Sequence, residues 1–542
     1  MPNMTDYDAT YASFQWDVPE DFNFARDTFD RWAADPDKLA LWWVDEAGRE
    51  EKRTFGQLKE ESERLCHVFR SQGVGRGDVV VVVLPRLIEW WVVNLACLRA
   101  GIVVSPGTTQ LTPKDMQFRC QTADAVGVLT DNANAAKVDE IKAACPTLKS
   151  FIVVGEDRPG WTTYAGAVAG APAGMPAENT KSTDPAILYF TSGTTGYPKM
   201  TLHTQASYPI GHYVTGHFWL DLTPDDLHWN LSDTGWAKAA WSSFFAPWIC
   251  GAAVFVQHAA RFDPATTLEL LQKYPVTTLC GAPTNYRMMV LQDLAAYKFP
   301  RLRHCVGAGE PLNPEVIETW RQHTGLTIRD GYGQTETVLI CGNFPPIELR
   351  YGSMGKPSPG IDLQVIDEEG TIVPPNTEGD VAIRVRPVRP AGLFREYWKD
   401  PEKTAASYRG DWYVTGDRAY RDPEGYFWFV GRADDVILTS GYRIGPFEVE
   451  SALIEHPAVA ESAVVSSPDE LRGEVVKAFV ILAPGYQASE DLARELQEHV
   501  KKVTAPYKYP RKIEFVTTLP KTISGKIRRI ELRQAEWAGW KK

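Results

Sequence analysis

Five consecutive valines and a leucine, Val79 to Leu84, make an unbroken apolar run of strand length. A strand with one wet face alternates apolar and polar residues. This one does not, so it must be buried on both faces. Its surroundings supply the cover. Arg86 to Ala100 has helical length and composition, the apolar Val126 to Leu129 follows, then the helical Ala133 to Ala144 and the apolar Phe151 to Val154. This β-α-β-α alternation predicts a parallel sheet covered by helices. The pattern returns with strands at Ala252 to Val256, Thr277 to Cys280 and His304 to Val306, and helices at Pro264 to Tyr274, Thr284 to Leu294 and Pro314 to Thr324. Between the two halves, Asp157 to Thr183 is rich in Gly, Ala, Pro and Thr and reads as a linker or long loop. From Ile361 the texture becomes short β runs with turns (LQVID, DVAIRV), a small β-rich subdomain ending near Arg432. The final stretch mixes strands (Glu461 to Val465, Val475 to Leu482) with helices (Pro446 to His456, Ser489 to Val503), a separate small α+β domain. The expected fold class is therefore α/β: a large N-terminal domain of several subdomains, with parallel sheets covered by helices plus the small β-rich subdomain, and a small α+β C-terminal domain.

The 542 residues, 44% hydrophobic with 18 Trp, argue for large buried cores rather than disorder. A net charge of −12 argues against a general nucleic-acid or anionic-membrane binder. The charge is uneven: residues 501 to 542 carry a net of +9, leaving −21 on the rest. Such a basic segment is either a solvated tail or a patch for a polyanionic small molecule. Eight scattered Cys without a CxxC pair point to reduced, intracellular usage and no zinc site. The N-terminal MPNMTDYDATYASF shows no signal or transit character. No membrane span is expected, because the longest apolar region, Val79 to Val104, is interrupted by Arg86, Glu89 and Arg99.

Thr191 to Lys199 reads TSGTTGYPK, directly after the apolar Ala186 to Phe190. Gly193 and Gly196 let the backbone turn its N–H groups toward an anion. Thr191, Ser192, Thr194 and Thr195 add hydroxyl donors and Lys199 a point charge. Pro198 precedes the Lys, and the spacing is not that of an ordinary P-loop. The segment reads as a phosphate loop; taken alone it could also be a polar surface turn. Five further stretches carry chemistry: SDTGW (Ser232 to Trp236), DGYGQTET (Asp330 to Thr337), YVTGD (Tyr413 to Asp417), GRADDVILTSGYRIG (Gly431 to Gly445) and KTISGKIRR (Lys521 to Arg529). Glu336 sits in a glycine-containing loop, and one carboxylate beside phosphates can hold Mg²⁺. Asp417 follows a tight turn and suits a ribose diol, or is an ordinary Asp turn. Arg432 and Arg443 can clamp a phosphate or carboxylate, or form surface salt bridges. Lys526 follows Gly525 and could reach an oxyanion; a lone Lys near a terminus otherwise faces solvent.

Together the six segments, in this order, resemble the adenylate-forming superfamily of acyl-CoA synthetases, peptide-synthetase adenylation domains and luciferases. The resemblance runs from about Trp42 to Trp537. Within the superfamily the chain is most similar to medium-chain acyl-CoA synthetases, through LPRLIEWW, SDTGWAKAAW, GAPTNYRMM, GRADDVILTSGYRIGPFEVE, RGEVVKAFV and VTAPYKYPRKIEFV. Met200 departs from the Gly that many superfamily members carry after the phosphate loop, and medium-chain enzymes commonly share that Met.

The resemblance implies two steps: ATP and a carboxylic acid give acyl-AMP and pyrophosphate, then the CoA thiol displaces AMP. It implies that Thr191, Ser192, Gly193, Thr194, Thr195, Gly196, Tyr197, Pro198 and Lys199 hold the β- and γ-phosphates. Asp330, Gly331, Tyr332, Gly333, Gln334 and Thr335 would line the adenine and α-phosphate, with Glu336 on Mg²⁺. Asp417 and Arg432 would take the ribose, and Lys526 the carboxylate and α-phosphate. Domains would span 1–433 (AMP-binding) and 434–542, hinged at Asp434. Rotation there would withdraw Lys526 and bring in Ser440, Gly441 and Tyr442 beside the pantetheine tunnel, with Arg443 on the substrate phosphate. Arg472, Lys501, Tyr509, Pro510 and Arg511 would meet the CoA nucleotide. Trp236 is the candidate wall or gate of the acyl pocket, or else core packing.

The activity expected from this resemblance is an ATP- and CoA-dependent acid–thiol ligase for medium-chain fatty, and also benzoate-like, acids. Rival readings are an enzyme that loads a carrier protein, a luciferase-like oxygenase and a silent nucleotide-binding scaffold. CoA dependence of AMP release separates the first, light emission the second and loss of turnover in Lys526→Ala the third. A bacterial cytosolic setting is the expectation from the N-terminus. The sequence leaves monomer and homodimer open.

Overall fold

The computed structural model describes residues 1–191, 198–439, 442–469, 472–521, 527–538 and 540, with the side chains of Tyr442 and Arg443 also outside the description. The five valines form the strand Val79–Val83, buried at every position. It lies inside an eight-stranded sheet in the order Glu396–Tyr397, Lys199–Thr204, Pro185–Thr191, Val103–Pro106, Val79–Val83, Gly127–Asp131, Ser150–Val154, Thr162–Thr163. A second, nine-stranded sheet runs Lys356–Pro357, Cys341–Gly342, Ile328–Tyr332, His304–Ala308, Thr278–Gly281, Leu227–Asn230, Ala253–His258, Leu39–Asp45, Glu50–Thr54.

Both sheets are parallel at the centre, as the alternation requires; the nine-stranded sheet is antiparallel at both edges, and the eight-stranded sheet at its Glu396–Tyr397 edge only. The antiparallel step that matters most joins Pro185–Thr191 to Lys199–Thr204, because a connection this short cannot cross over a sheet. Between the sheets lies the helix Ile88–Ala100, apolar on nearly all sides and buried along almost its whole length. A helix with no polar face needs cover all round, which two sheets supply. Its Trp90 and Trp91 share one core with Val80 and Val82 of one sheet and Trp43 and Val254 of the other.

The stretch expected as a loop, Asp157 to Thr183, instead holds a short strand, Thr162–Thr163, and a helix, Tyr164–Gly170. Tyr164 and Val168 are buried there, and the Tyr164 hydroxyl donates to Glu61 at 2.8 Å. Tertiary burial of these two side chains overrides the glycines.

A five-stranded antiparallel sheet, built on Leu363–Ile366, Gly379–Arg384, Trp412–Arg421 and Phe427–Arg432, forms the β-rich subdomain. Beyond it, the hairpin Val459–Asp469/Gly473–Leu482 takes Lys512–Phe515 alongside as a parallel strand. The helix Glu490–Val503 packs on this sheet through Leu492, Leu496 and Val500, spaced four apart on one face. Among the described residues no helix is long and apolar enough to cross a membrane.

Candidate functional site

The stretch expected as a phosphate loop joins two antiparallel strands, Pro185–Thr191 and Lys199–Thr204. Thr191, the last residue of the first strand, pairs directly with Lys199 across the antiparallel edge. Ser192 to Tyr197 lie outside the described residues. Lys199 is partly buried, its Nζ 4.9 Å from the centre of the Tyr397 ring. Burial lowers the pKa of this ammonium, and the nearby Glu336 carboxylate pulls it back up.

Asp330 to Glu336 leave the end of the parallel strand Ile328–Tyr332 and pass under Trp219 and Trp241. The approach is too close for a side chain: a Cβ on Gly333 would stand 2.4 Å from the Trp241 ring and 2.5 Å from the Val338 carbonyl oxygen. Two side chains that sequence reasoning did not single out hold the loop from below. His203 Nε2, at 2.7 Å, and the Tyr208 hydroxyl, at 2.5 Å, both donate to the Thr335 carbonyl. The Ser207 hydroxyl, 2.9 Å away, donates to Nδ1 and so fixes that tautomer. Burial pushes His203 down to about 3, so its ring is neutral.

Glu336 accepts a 2.9 Å hydrogen bond from the Tyr397 hydroxyl. Its pKa is raised, chiefly by burial, against the hydrogen bond from Tyr397 and the charge of Lys199. Tyr397 was also missed by sequence reasoning. The signal was present in FREYW, a β-prone run that pairs with the strand leaving the phosphate loop. Asp330 is deeply buried, which raises its carboxyl to about 7 in spite of the 2.9 Å bond from the Gly331 N–H.

Asp417 lies on the long strand Trp412–Arg421, directly across from Arg432. One carboxylate oxygen accepts from the Tyr332 hydroxyl at 2.6 Å and Gln334 Nε2 at 2.7 Å; the other stands 3.6 Å from Arg432 Nε. Asp417, Tyr332, Gln334 and Arg432 are thus brought together from two sheets. Trp236 is half-buried and follows a turn in which Asp233 accepts from the Gly235 N–H at 3.0 Å.

In the C-terminal domain, Lys501 and Arg511 both lie over the Tyr509 ring, at 4.2 and 4.8 Å, and Arg511 donates to the Tyr509 hydroxyl at 2.6 Å. Pro510 between them is buried. Lys501 also pairs with Glu498 at 2.6 Å. Arg472 stands at the hairpin turn, its N–H on the Asp469 carboxylate at 2.9 Å. Arg533 holds the expected hinge, donating to the Asp434 carbonyl and pairing with Asp435 at 3.1 Å. Beside that contact is a cleft of about 460 Å³, lined in part by Asp434, Glu474, Arg533 and Trp537. Ser440, Gly441 and Lys526, with the side chains of Tyr442 and Arg443, lie outside the described residues.

The structure thus gathers a loop between paired strands, a lysine and a carboxylate at its foot, and a clamped aspartate beside an arginine. The comparisons say which kind of protein carries them. The AMP-binding enzyme family matches residues 29–398, and the AMP-binding enzyme C-terminal domain matches residues 448–526. Mitochondrial acyl-coenzyme A synthetase ACSM3 of Homo sapiens is 53% identical, covering 99% of this chain and 93% of its own. Mitochondrial acyl-coenzyme A synthetase ACSM4 of the same organism is 53% identical over 96% and 92%. Among solved structures, the anthranilate CoA ligase AuaEII in complex with anthranoyl-AMP is similar with a TM-score of 0.89 and 31% identity, covering 96% of this chain and 98% of its own. A benzoate CoA ligase from Burkholderia xenovorans LB400 gives a TM-score of 0.82 at 30% identity, covering 94% and 100%.

The chain belongs to the adenylate-forming superfamily and, within it, to the medium-chain acyl-CoA synthetase family. It is an AMP-forming acid–CoA ligase that joins a carboxylic acid to CoA through acyl-AMP at the expense of ATP. The same relatives correct one expectation. They are mitochondrial, which overturns the bacterial cytosolic setting inferred from the N-terminus.

Proposed function

We propose that the acid is a medium-chain fatty acid or a benzoate-like acid, that Mg²⁺ bound through Glu336 assists its adenylation, and that the two half-reactions use two orientations of the C-terminal domain about Asp434. The observation that carries the metal assignment is the meeting of Lys199 and Glu336 on Tyr397 at the foot of the phosphate loop. One carboxylate is a sufficient protein ligand for Mg²⁺ when phosphate oxygens supply the rest. The site fits that pattern: no cluster of three metal-ligating side chains occurs among the described residues, and Glu336 has an oxygen beyond the one held by Tyr397. The cation would neutralise charge on the leaving pyrophosphate.

A carboxylate is a poor acyl donor, because oxide would have to leave. Joining it to the α-phosphate gives AMP as leaving group. Thr191 to Lys199 would hold the outer phosphates, Asp330 to Thr335 the adenine and α-phosphate, and Asp417 with Arg432 the ribose hydroxyls. Asp417 suits the task, since Tyr332 and Gln334 fix its carboxylate before any ligand arrives. Lys526 would meet the charge developing on the carboxylate and α-phosphate. In the second step, Ser440 to Arg443 would replace Lys526 beside the acyl-AMP, and Arg472, Lys501, Tyr509 and Arg511 would face the CoA nucleotide. The Lys501–Tyr509–Arg511 cluster supports that role and turns the +9 segment into a phosphate-binding face.

Names of relatives support both acid types: acyl-CoA synthetases at 53% identity, and benzoate and anthranilate ligases by fold. An apolar pocket beside Trp236 would discriminate chain length softly, at about 1–3 kcal/mol per methylene. The test is purified protein with ATP, Mg²⁺ and CoA against acetate, butyrate, hexanoate, octanoate, dodecanoate, benzoate and phenylacetate. Acyl-CoA and AMP are read by mass spectrometry. The expected result is a maximum at middle chain lengths with a shoulder for benzoate; a maximum at acetate or dodecanoate refutes the acid assignment.

A further inference from the structure

We propose that Tyr397 is the positioning residue that sets the phosphate-loop lysine and the metal-binding carboxylate at their working separation. The inference rests on the reading of Lys199 and Glu336 given above. Tyr397 is buried and offers two surfaces to two partners: its hydroxyl donates to Glu336 at 2.9 Å, and its ring face carries the Lys199 ammonium at 4.9 Å.

The backbone around it does the same work. Tyr397 pairs with Thr201 and Glu396 with Leu202, on the strand that leaves the phosphate loop. The Trp398 N–H donates to the Met200 carbonyl at 2.7 Å, and the Phe394 N–H to the Glu336 carbonyl at 2.7 Å. The segment Phe394 to Trp398 therefore ties the phosphate-loop strand to the Glu336 loop, with Tyr397 at its centre. Any buried tyrosine hydroxyl needs an acceptor, but core packing alone does not require that the acceptor be the carboxylate of one loop while a cation from another lies on the ring face.

The two contacts are separable. Tyr397→Phe keeps the ring and removes the donor; Tyr397→Leu removes both. A side chain that orients a metal ligand is worth about 10- to 100-fold in metal affinity. The experiment uses the full chain with ATP and no acid, and reads the enzyme–ATP–Mn²⁺ complex by electron paramagnetic resonance. ATP affinity without metal is read by calorimetry. In Y397F, Mn²⁺ affinity in the complex should fall about 10-fold while metal-free ATP affinity and the melting temperature hold. In Y397L, metal-free ATP affinity should fall as well. In a Glu336→Gln background, Y397F should change Mn²⁺ affinity less than about twofold. Wild-type Mn²⁺ affinity in Y397F, or an undiminished loss in the E336Q background, overturns the proposal while leaving the Glu336 reading intact. No enzyme-bound Mn²⁺ in the wild type overturns both.

Discussion

Lys199 and Glu336 show how a residue type acquires a role from its surroundings. Burial works against both charges, lowering one pKa and raising the other, so each is stabilised by the other and by whatever charge a ligand brings. Replacing Lys199 by Met should cut acyl-AMP formation roughly 100- to 1000-fold, the scale of losing one preorganised charge at a reacting phosphate. ATP–pyrophosphate exchange measures that step. Thioester formation from pre-made acyl-AMP should change far less, since no triphosphate is present.

Asp330 makes a prediction about pH. Its folded pKa of about 7 lies above the unfolded value of 3.8, so the folded chain binds the extra proton between these limits. Its contribution is fully present below about pH 4, declines as pH rises toward 7, and is level beyond. The decline is on the order of 4 kcal/mol for a group this buried. Urea midpoints from pH 4.5 to 8 should fall more steeply in the wild type than in Asp330→Asn, and parallel curves would refute the assignment.

At the scale of elements, function sits where strands end and turns begin. Lys199 and Arg432 stand at strand termini, where the backbone leaves the sheet and side chains are free to converge, and Asp330 lies two residues before the end of its strand. The SDTGW turn illustrates how tightly such turns are seated. A Cβ on Gly235 would lie 2.3 Å from the Thr108 backbone nitrogen and 2.4 Å from its Cα, and backbone against backbone has no rotamer to yield. Gly235→Ala should therefore cost about 1–3 kcal/mol, read by chemical denaturation. It should also displace Trp236 and flatten the chain-length profile. An unchanged profile would separate Trp236 from the acyl pocket.

Much of this level was legible in the chain. The helix at Pro314–Thr324 and the strands around Val79, His304 and Val475 stand within a residue or two of where apolar periodicity placed them. Those signals are local: proline at a helix start, continuous valines, a glycine stop. Asp157 to Thr183 was misread because Gly and Ala carry little pattern of their own, and Tyr164 and Val168 find their reason only in the neighbouring helix that contains Glu61.

Over the whole molecule, the question is how one chain serves two chemistries. The C-terminal domain meets the rest through contacts such as Asn313 Nδ2 to Ser451 Oγ at 3.2 Å, and Arg533 ties its last helix to the expected hinge segment Asp434–Asp435. Contacts of this kind can be exchanged for others at low cost. A proline at Asp434 fixes φ and removes a backbone donor. Asp434→Pro should leave pyrophosphate exchange within a few-fold of wild type while acyl-CoA release falls steeply. Equal losses in both half-reactions would argue against a hinge at that residue.

The TSGTTGYPK, DGYGQTE and TGD segments and their order are properties of the chain alone, and through their resemblance to the adenylate-forming superfamily they were enough to name the chemistry. What only tertiary structure decided is which distant side chains support them. Tyr397 reaches Glu336 across 61 residues, Tyr332 reaches Asp417 across 85, and Tyr208 reaches the Thr335 carbonyl across 127. No periodicity encodes such pairs. They exist because strand order in the sheets brings chain segments together regardless of their spacing in sequence, and a buried hydroxyl must find an acceptor wherever that order leaves it.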